Sequence, residues 1–562
     1  MFLIVGPAGF LLYKSQLPSK ILMAIGFILW LIFLVELHFF THLFSSLLSG
    51  HTLLNMATIT FTFVGMVLVW NWLYKKNLLL ARILIVETLV LICFIPYSDL
   101  SYYDYAYLMG PALKVFQTGK IASAYFQYDL LPSIPAWFVI KNGGSVYDFR
   151  IFVQAFIFLF MLAAFIVARK FFANKSLAFC LLAMLIIVRI FMGMSEITYI
   201  PQSSSIRLDW WLLLFAAAHL WGLRNFKLGI CFLLLIIFIN SFAIVYLFCY
   251  FIAIVLLLAL KFYDNYTENV SIPASQLISD HLKPYLPNIA LSFVGLVLYR
   301  LITGHIVNES LSVFKDFQIG MLPVSQDSLY WYFGAVFTFC FALLLIFRKQ
   351  FKNDYWESSI MLLFLFVGCS MYFYGRSHEN NIINLSGILL FVVVLCSDVL
   401  LQVFSNEGQP LRLSQKLVGL APTGLIFLML MISNEGMFSV NTRNYLNYIK
   451  NKHWTYPENF PTQTDLSTVA ALTHNSKNVY FMTYAGRDFF FYYRGNYEVP
   501  GKFVPVDGWI LKKDKIAFAN DLMAKGYYVI SDENDNVFNR DFVPELTYKN
   551  KEAQNGYVAF SN

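Results

Sequence analysis

Long apolar runs recur along residues 1–433, and they limit what this chain can fold into more than any other feature. A helix of about 20 apolar residues crosses the hydrocarbon core of a bilayer. The composition agrees, because 59% of the 562 residues are hydrophobic and only 13% are charged, against about 25% charged residues in soluble domains. The sequence therefore predicts an α-helical polytopic membrane protein.

The runs predict about thirteen transmembrane helices. Lys and Arg cluster in the connections on one side, which the positive-inside rule assigns to the cytoplasm. The run 228–260 is too long for one untilted helix and is interrupted at Asn240-Ser241. It predicts two short helices that meet near Asn240, with a single steeply tilted helix as the alternative. The predicted spans lie at about 21–40, 56–74, 79–95, 151–168, 177–194, 208–223, two within 228–260, 289–306, 329–347, 357–374, 381–402 and 417–433.

The connection 97–148 is predicted to be a large first loop on the non-cytoplasmic side. It carries four aspartates, Asp99, Asp104, Asp129 and Asp148, among several tyrosines. Loops of this length inside compact proteins are usually functional. Carboxylates held just outside a membrane indicate chemistry at the bilayer surface.

From Asn434 the composition becomes that of a soluble domain. Residues 434–562 contain 14 basic and 14 acidic residues, so the net charge of +7 belongs to residues 1–433. There it follows the positive-inside pattern, and nucleic acid is excluded as a partner. An odd number of spans places the C-terminus outside the cytoplasm. The strand-like runs 478–484, 488–494 and 526–532, with a helix-like run at 514–526, predict a small extracytoplasmic α/β domain.

Three further connections on the predicted outer side, 195–211, 308–331 and 372–381, are rich in polar and aromatic residues. Arg207 and Arg376 lie in them, against the positive-inside bias. Such an arginine is either a snorkelling anchor or a bidentate ligand of a phosphate. Two of them facing an acidic loop favour the phosphate interpretation, and a histidine at position 378 can add a hydrogen bond to phosphate. Arg189, placed inside a span, must pair internally or reach the interface.

Metal ligands follow no recognisable spacing in this sequence. It contains no HExxH motif and no Cys/His cluster, which argues against a zinc site. A hard divalent cation, Mg or Mn, needs only one or two carboxylates together with a phosphate. Asp99 or Asp104 could supply them, so dependence on a metal stays open. The seven cysteines fall in apolar runs and are predicted to be inert packing residues.

The run that begins Asp104-Tyr-Ala-Tyr-Leu-Met-Gly-Pro-Ala-Leu, followed by Gly119-Lys120 and Gln127-Tyr128-Asp129, resembles the first outer loop of the GT-C superfamily. These are multi-spanning glycosyltransferases that use polyprenyl-phosphate sugars. Their loops carry an aspartate near a span exit and a Gln-Tyr-Gly type element, whose glycine is replaced here by Asp129. The stretches 201–207, 320–323 and 374–378 resemble later loops of bacterial members. The order of many spans followed by one small outer α/β domain is also similar.

The resemblance implies transfer of a hexosyl or pentosyl group, with inversion, from a polyprenyl-phosphate sugar to a hydroxyl of a glycan, lipid or protein. It implies Asp104 as the general base, with Asp99 as the alternative. Arg376, assisted by His378, would bind the donor phosphate, and Arg207 is the alternative residue for that role. Tyr128, Gln127 and Glu196 would line the substrate site. The implied location is the inner (plasma) membrane, with 1–433 as the catalytic domain and 434–562 outside.

Two other classes fit a polytopic chain with a polar outer mouth. A transporter or flippase for a lipid-linked sugar would place ionisable groups near the bilayer midplane and often show repeated halves. A membrane ligase of the O-antigen type, or an acyltransferase, would need a catalytic histidine, for which His378 is the candidate. The sequence shows no internal repeat and few intramembrane charges, with Arg189 and Glu87 the clearest, and so favours the glycosyltransferase.

Overall fold

The computed structural model describes most of the chain from residue 50 onward. The described residues are 50–95, 102–193, 204–268, 273–306, 324–325, 328–375, 379–405, 411–451, 461–483, 487–502, 512–533 and 540–562. The predicted span at about 21–40 lies outside them. Each of the other twelve predicted spans has a helix at its position.

Seven helical segments among the described residues are long and apolar enough to cross a membrane, and four shorter apolar helices accompany them. This confirms the predicted fold class, a polytopic helical membrane protein followed by a small sheet. The helices of the membrane part are α1 Gly50–Lys76, α2 Leu78–Phe94, α3 Tyr102–Thr118, α4 Ser133–Lys141, α5 Val146–Phe171, α6 Leu177–Leu185, α7 Ser205–Leu208, α8 Trp211–Trp221, α9 Phe226–Phe238, α10 Asn240–Thr267, α11 Ala274–Leu282, α12 Leu286–Thr303, α13 Tyr330–Ile346, α14 Asn353–Gly375, α15 Glu379–Asn384, α16 Ser386–Phe404 and α17 Leu413–Asn451.

The apolar run 228–260 breaks where its sequence is interrupted. Helix α9 ends at Phe238 and α10 begins at Asn240, because Ile239 leaves the helical conformation with φ −131° and ψ 54°. The two-helix prediction is therefore confirmed, although α10, with 28 residues, is longer than predicted. The break leaves the first N–H groups of α10 without helical partners in the interior of the protein.

Helix α16 is the centre of the bundle. Almost all of its residues are buried, including Phe391, whose ring packs against those of Phe172, Trp211 and Phe215. Apart from Asp398, Gln402 and two serines, its residues are apolar or glycine on every face, as expected at such a position. The helices that surround it expose large apolar side chains, such as Phe61, Phe248 and Leu301.

Helices α9 and α12 approach each other closely because glycines face the contact. A Cβ atom at Gly229 would lie 2.8 Å from the Cα of Asn288, and one at Gly295 would lie 3.1 Å from the Cα of Leu233. Small residues permit such close packing between membrane helices. Asn288 also links the pair, since its side chain accepts from the Gly229 N–H at 3.1 Å and donates to the Tyr250 hydroxyl at 2.8 Å.

The bundle has two distinct ends. At one end α5 begins, α9 meets α10 and α14 ends. Residues 102–145 lie at this end, which we call the "loop end". The opposite end carries the lysine and arginine pairs of the predicted cytoplasmic turns. There the buried carboxylate of Asp398 accepts from the Asn174 N–H at 2.8 Å and from the hydroxyl of Tyr355 at 2.8 Å. Asp398 thereby fastens the turn after α5 to α14.

Helix α17 extends past the predicted end of its span, to Asn451, with a kink at Asn434. The remaining elements are α18 Gln463–Leu472, β1 Val479–Met482, α19 Arg487–Arg494, α20 Lys512–Ala524, β2 Tyr528–Asp532, β3 Asn550–Gln554 and β4 Tyr557–Ser561. The strands form one sheet in the order β1-β2-β4-β3, with β1 and β2 parallel and the other pairs antiparallel.

The strand predicted at 488–494 is wrong, because this segment is the helix α19. Its aromatic residues favour strands by intrinsic preference, but tertiary packing decides otherwise. In the helix, the ring of Phe491 stacks on Phe481 of β1, with 4.7 Å between centroids. The hydroxyl of Tyr492 accepts from the Phe481 N–H at 3.0 Å. The predicted strands at 478–484 and 526–532 and the helix at 514–526 are confirmed as β1, β2 and α20.

Candidate active site

Asp129 lies at the junction between the first loop and the bundle. It has a left-handed backbone conformation, φ +69°, which aspartate tolerates better than most residues. The residue is 1% exposed, and its carboxylate accepts from the Ser241 N–H at 2.9 Å and from the Ser241 hydroxyl. Because Ser241 is in the first turn of α10, Asp129 caps the helix that the break at Ile239 exposes.

The loop around Asp129 is inserted into the bundle. The Leu131 N–H donates to the carbonyl of Phe238, the last residue of α9, at 2.9 Å. Ala124, Phe126 and Leu130 form a small apolar cluster that also contacts Phe238. The loop is therefore a packed part of the structure, and its polar side chains have defined positions.

Arg207 lies beside this carboxylate, on the short helix α7. Its Nε is 3.9 Å from the Asp129 Oδ2, and its side chain is 10% exposed. Three aromatic rings surround the guanidinium, with centroids 4.8 Å (Tyr128), 5.1 Å (Phe242) and 5.6 Å (Tyr372) from its Cζ. Cations are attracted to such ring faces. The surroundings of Arg207 are those of a held cation, in contrast to the snorkelling anchor considered above.

Gln127 and Tyr128 belong to the same group of side chains. The amide of Gln127 donates to the Tyr128 hydroxyl at 3.4 Å. The Tyr128 ring packs edge-on against Tyr107 of α3, with 5.7 Å between centroids. Tyr107 is one helical turn from Asp104, which lies in the first turn of α3. Tyr107, Tyr128 and Arg207, which all lie in the stretches that carry the sequence resemblance, thus form a continuous line of contacts.

A second buried ion pair lies nearby in the chain. The Arg189 Nη1 is 2.7 Å from the Asp209 Oδ2, and both side chains are almost fully buried. Arg189 is in the π-helical turn Ile186–Phe191 that follows α6, and Asp209 follows α7, two residues after Arg207. Arg189 therefore pairs internally, which is one of the two outcomes that the sequence allowed.

Four of the predicted site residues, Asp99, Glu196, Arg376 and His378, lie outside the described residues. Helix α14 ends at Gly375, immediately before Arg376 in the sequence, and its Tyr372 is one of the rings around Arg207. Within the described part of the chain, no group of three or more His, Cys, Asp or Glu side chains is placed to hold a metal ion.

The C-terminal region contacts the first loop directly. The Gln117 amide of α3 donates to the Tyr497 carbonyl at 2.8 Å and accepts from the Val499 N–H at 3.1 Å. Lys114, one turn earlier, donates to the Val499 carbonyl, and burial at this contact lowers the pKa of its ammonium. The Tyr493 hydroxyl donates to the Gly144 carbonyl at 2.8 Å. The helix that begins near Asp104 is thus held at its other end by residues 493–499.

Comparison with known proteins finds similarity to a solved structure. No protein-family model matches the sequence, and no curated protein matches it. The chain is similar to a solved structure described as "Crystal Structure of ArnT from Cupriavidus metallidurans bound to Undecaprenyl phosphate". The identity is 11%, the match covers 85% of this chain and 97% of that chain, and the TM-score is 0.43.

Proposed function

We propose that this protein is an integral membrane glycosyltransferase of the GT-C type, which moves a sugar from a polyprenyl-phosphate donor to a hydroxyl acceptor. The observation that carries the proposal is the placement of Arg207. A buried guanidinium, ringed by aromatic side chains, lies at the loop end of a membrane bundle beside the Gln127-Tyr128-Asp129 element. The prenyl chain of a lipid-linked donor stays in the bilayer, so its phosphate lies at the membrane boundary. A cation at that boundary would bind the negatively charged phosphate.

Charge stabilisation of the leaving group is the main demand of this reaction. When the glycosidic bond to phosphate breaks, negative charge grows on a phosphate oxygen. Arg376, with His378 assisting, is the proposed partner of the donor phosphate, and Arg207 is the alternative. Tyr372 of α14 contacts Arg207, and Arg376 follows the end of that helix in the sequence, so substitution of each arginine decides between them.

The acceptor must lose a proton as it attacks. We propose that Asp104 takes the proton of the acceptor hydroxyl while its oxygen forms a bond to the anomeric carbon. The bond from that carbon to the phosphate oxygen breaks on the opposite face, which inverts the configuration. The lipid phosphate leaves with the electron pair of that bond. Asp104 lies at the start of α3, one turn from Tyr107, and the Tyr107 ring packs on Tyr128, which supports Asp104 as the proposed base.

The loop and the C-terminal domain are proposed to lie outside the cytoplasm, where a lipid-linked donor replaces a nucleotide sugar. The contacts of Gln117 and Tyr493 support a shared side for both segments. The acceptor would then approach through the cavity between these segments, which is lined by Gly144, Ser145, Phe490, Tyr493 and Arg494.

Binding and turnover test this proposal in two steps. Purified protein in nanodiscs should bind undecaprenyl phosphate and should not bind undecaprenol, which lacks the phosphate. The same protein should then hydrolyse or transfer sugar from one member of a panel of radiolabelled polyprenyl-phosphate sugars. Equal binding of the two lipids would contradict the proposal, since the phosphate would then contribute nothing.

A further inference from the structure

We propose that Asp129 is the fixed counter-ion of Arg207, and that its charge lowers the affinity of the site for the phosphate of a polyprenyl lipid. This inference rests on the proposed function, because it assumes that Arg207 acts on a lipid phosphate. It assigns a role to the aspartate that replaces glycine in the Gln127-Tyr128-Asp129 element.

The position of Asp129 does not depend on Arg207. Two donors of Ser241, the backbone N–H and the hydroxyl, hold its carboxylate at the start of α10. Its left-handed backbone and its burial fix the side chain further. The carboxylate therefore stays in place whether or not a ligand is bound.

Arg207 is held between this carboxylate and aromatic faces. The 3.9 Å separation of Arg207 Nε and Asp129 Oδ2 brings a carboxylate beside the guanidinium. Between charges that are mostly removed from water, the interaction is several-fold stronger than on an open surface. An arriving phosphate thus meets an arginine whose positive potential is partly cancelled.

Partial cancellation suits an enzyme that must release its lipid product. After sugar transfer the bare polyprenyl phosphate carries more negative charge than the glycosylated donor, because the phosphodiester has become a monoester. An uncompensated arginine would bind this product more tightly than the substrate. A carboxylate that cannot move away penalises the more negative ligand most, and so favours product release.

A purely structural role for Asp129 predicts a different result. As a cap of α10 alone, it would contribute to stability, and its replacement would leave ligand affinity in the folded protein unchanged or weaker. Tighter binding is therefore the observation that separates the two roles, because loss of a cap does not by itself strengthen the binding of an anion.

The variants Asp129→Asn and Asp129→Gly remove the charge in two ways. Asparagine keeps an oxygen that can accept from the Ser241 N–H, and glycine adopts the left-handed conformation at least cost. Asp398→Asn is the matched control, because it also removes a buried, hydrogen-bonded carboxylate but lies at the opposite end of the bundle.

The dissociation constant for undecaprenyl phosphate is measured for each purified protein in nanodiscs. We expect it to fall about tenfold in both Asp129 variants and to stay within about twofold of wild type in Asp398→Asn. Equal or weaker binding in the Asp129 variants, with normal binding by wild type, overturns the counter-ion role and leaves the proposed function standing. Absence of phosphate-dependent binding by wild type overturns both.

If neither Asp129 variant folds, the double variant Asp129→Asn, Arg207→Gln decides between the two roles. A buried arginine that has lost its counter-ion destabilises the protein, and removal of both charges relieves this. Recovery of folded protein in the double variant supports the counter-ion role. Failure of the double variant to fold, like the single ones, overturns it in favour of the cap alone.

Discussion

Arg189 and Asp209 form a buried ion pair, 2.7 Å apart, between the π-helical turn after α6 and the residue that follows α7. Gly387 of α16 faces the pair, and a Cβ atom there would lie 2.8 Å from Asp209 Oδ1 and 3.3 Å from Arg189 Nη1. The pair thus joins three segments of the loop end. Because Asp209 is two residues from Arg207, it also sets the position of the helix that carries the proposed phosphate ligand.

Asp209→Ala should destabilise the protein strongly, because it removes the counter-charge of a buried guanidinium. Loss of one partner of a buried pair costs about 3–5 kcal/mol. The measurement is the midpoint of thermal unfolding in detergent. Glu268→Ala is the matched control, since the pair of Glu268 with Lys349 is mostly exposed and is worth about 0–1 kcal/mol. Similar midpoints for the two variants would contradict the structural role of Asp209.

Gln117 and Val499 should be coupled in amide hydrogen exchange. The Gln117→Ala variant removes the acceptor of the Val499 N–H, and with it a hydrogen bond worth about 1 kcal/mol. We expect exchange at Val499 to become about fivefold faster, while the amides of β2 keep their protection. Thr118→Ala, on the next residue of α3, is the control. Unchanged exchange at Val499 would mean that the first loop does not hold the C-terminal domain.

The general architecture could be predicted from the sequence because membrane helices are encoded locally. Run length and basic turns are properties of adjacent residues, and so is the break near Asn240, which the structure places at Ile239. The strand predicted at 488–494 failed for the opposite reason. Its helical form depends on Phe481, a residue of a different element, against which Phe491 and Tyr492 pack.

The candidate site could be predicted only in part. Arg207, Gln127 and Tyr128 were identified from their positions in outward loops and from the resemblance. The sequence presents Asp129 as one of four loop aspartates and as a departure from a motif, and gives it no partner, because Ser241 is 112 residues away. No periodicity or spacing relates two such positions. The same holds for Arg189 and Asp209, whose pairing depends on how α6 and α7 meet.

The first loop and the C-terminal domain should be accessible from the same, non-cytoplasmic side. Cysteine substitutions at Lys120 and Lys477, both exposed, should react with an impermeant thiol reagent in intact cells. A cysteine at Lys349, exposed at the opposite end of the bundle, should react only after the membrane is permeabilised. Six of the seven native cysteines are buried and the seventh, Cys180, is partly buried, so background labelling should be low. Labelling at only one of positions 120 and 477 would contradict the topology.

Asp104 should be required for turnover and not for folding. Asp104→Asn keeps the size of the side chain and much of its capacity to cap a helix, but it removes the basic oxygen. We expect the rate of sugar transfer to fall by about two to four orders of magnitude, with an unchanged unfolding midpoint. Asp99→Asn is made in parallel. Full activity of Asp104→Asn together with an inactive Asp99→Asn would assign the base to Asp99.

Arg376 and Arg207 should be distinguishable as phosphate ligands by substitution with lysine. Lysine keeps the charge but loses the planar, bidentate fork. An anchor tolerates this change, since both side chains snorkel. A phosphate ligand should lose about 1.5–3 kcal/mol of donor binding, seen as a raised donor KM with little change in the acceptor KM.

Arg207→Lys needs a further measurement, because three rings surround the guanidinium and lysine packs less well against aromatic faces. A raised donor KM with a lowered unfolding midpoint would reflect lost packing as well as lost phosphate binding. Arg207→Lys is therefore compared with Tyr372→Leu, which removes one ring and keeps the arginine. If Arg376→Lys leaves the donor KM unchanged, and Arg207→Lys raises it well beyond Tyr372→Leu, the donor phosphate is bound by Arg207 and the assignment to Arg376 is wrong.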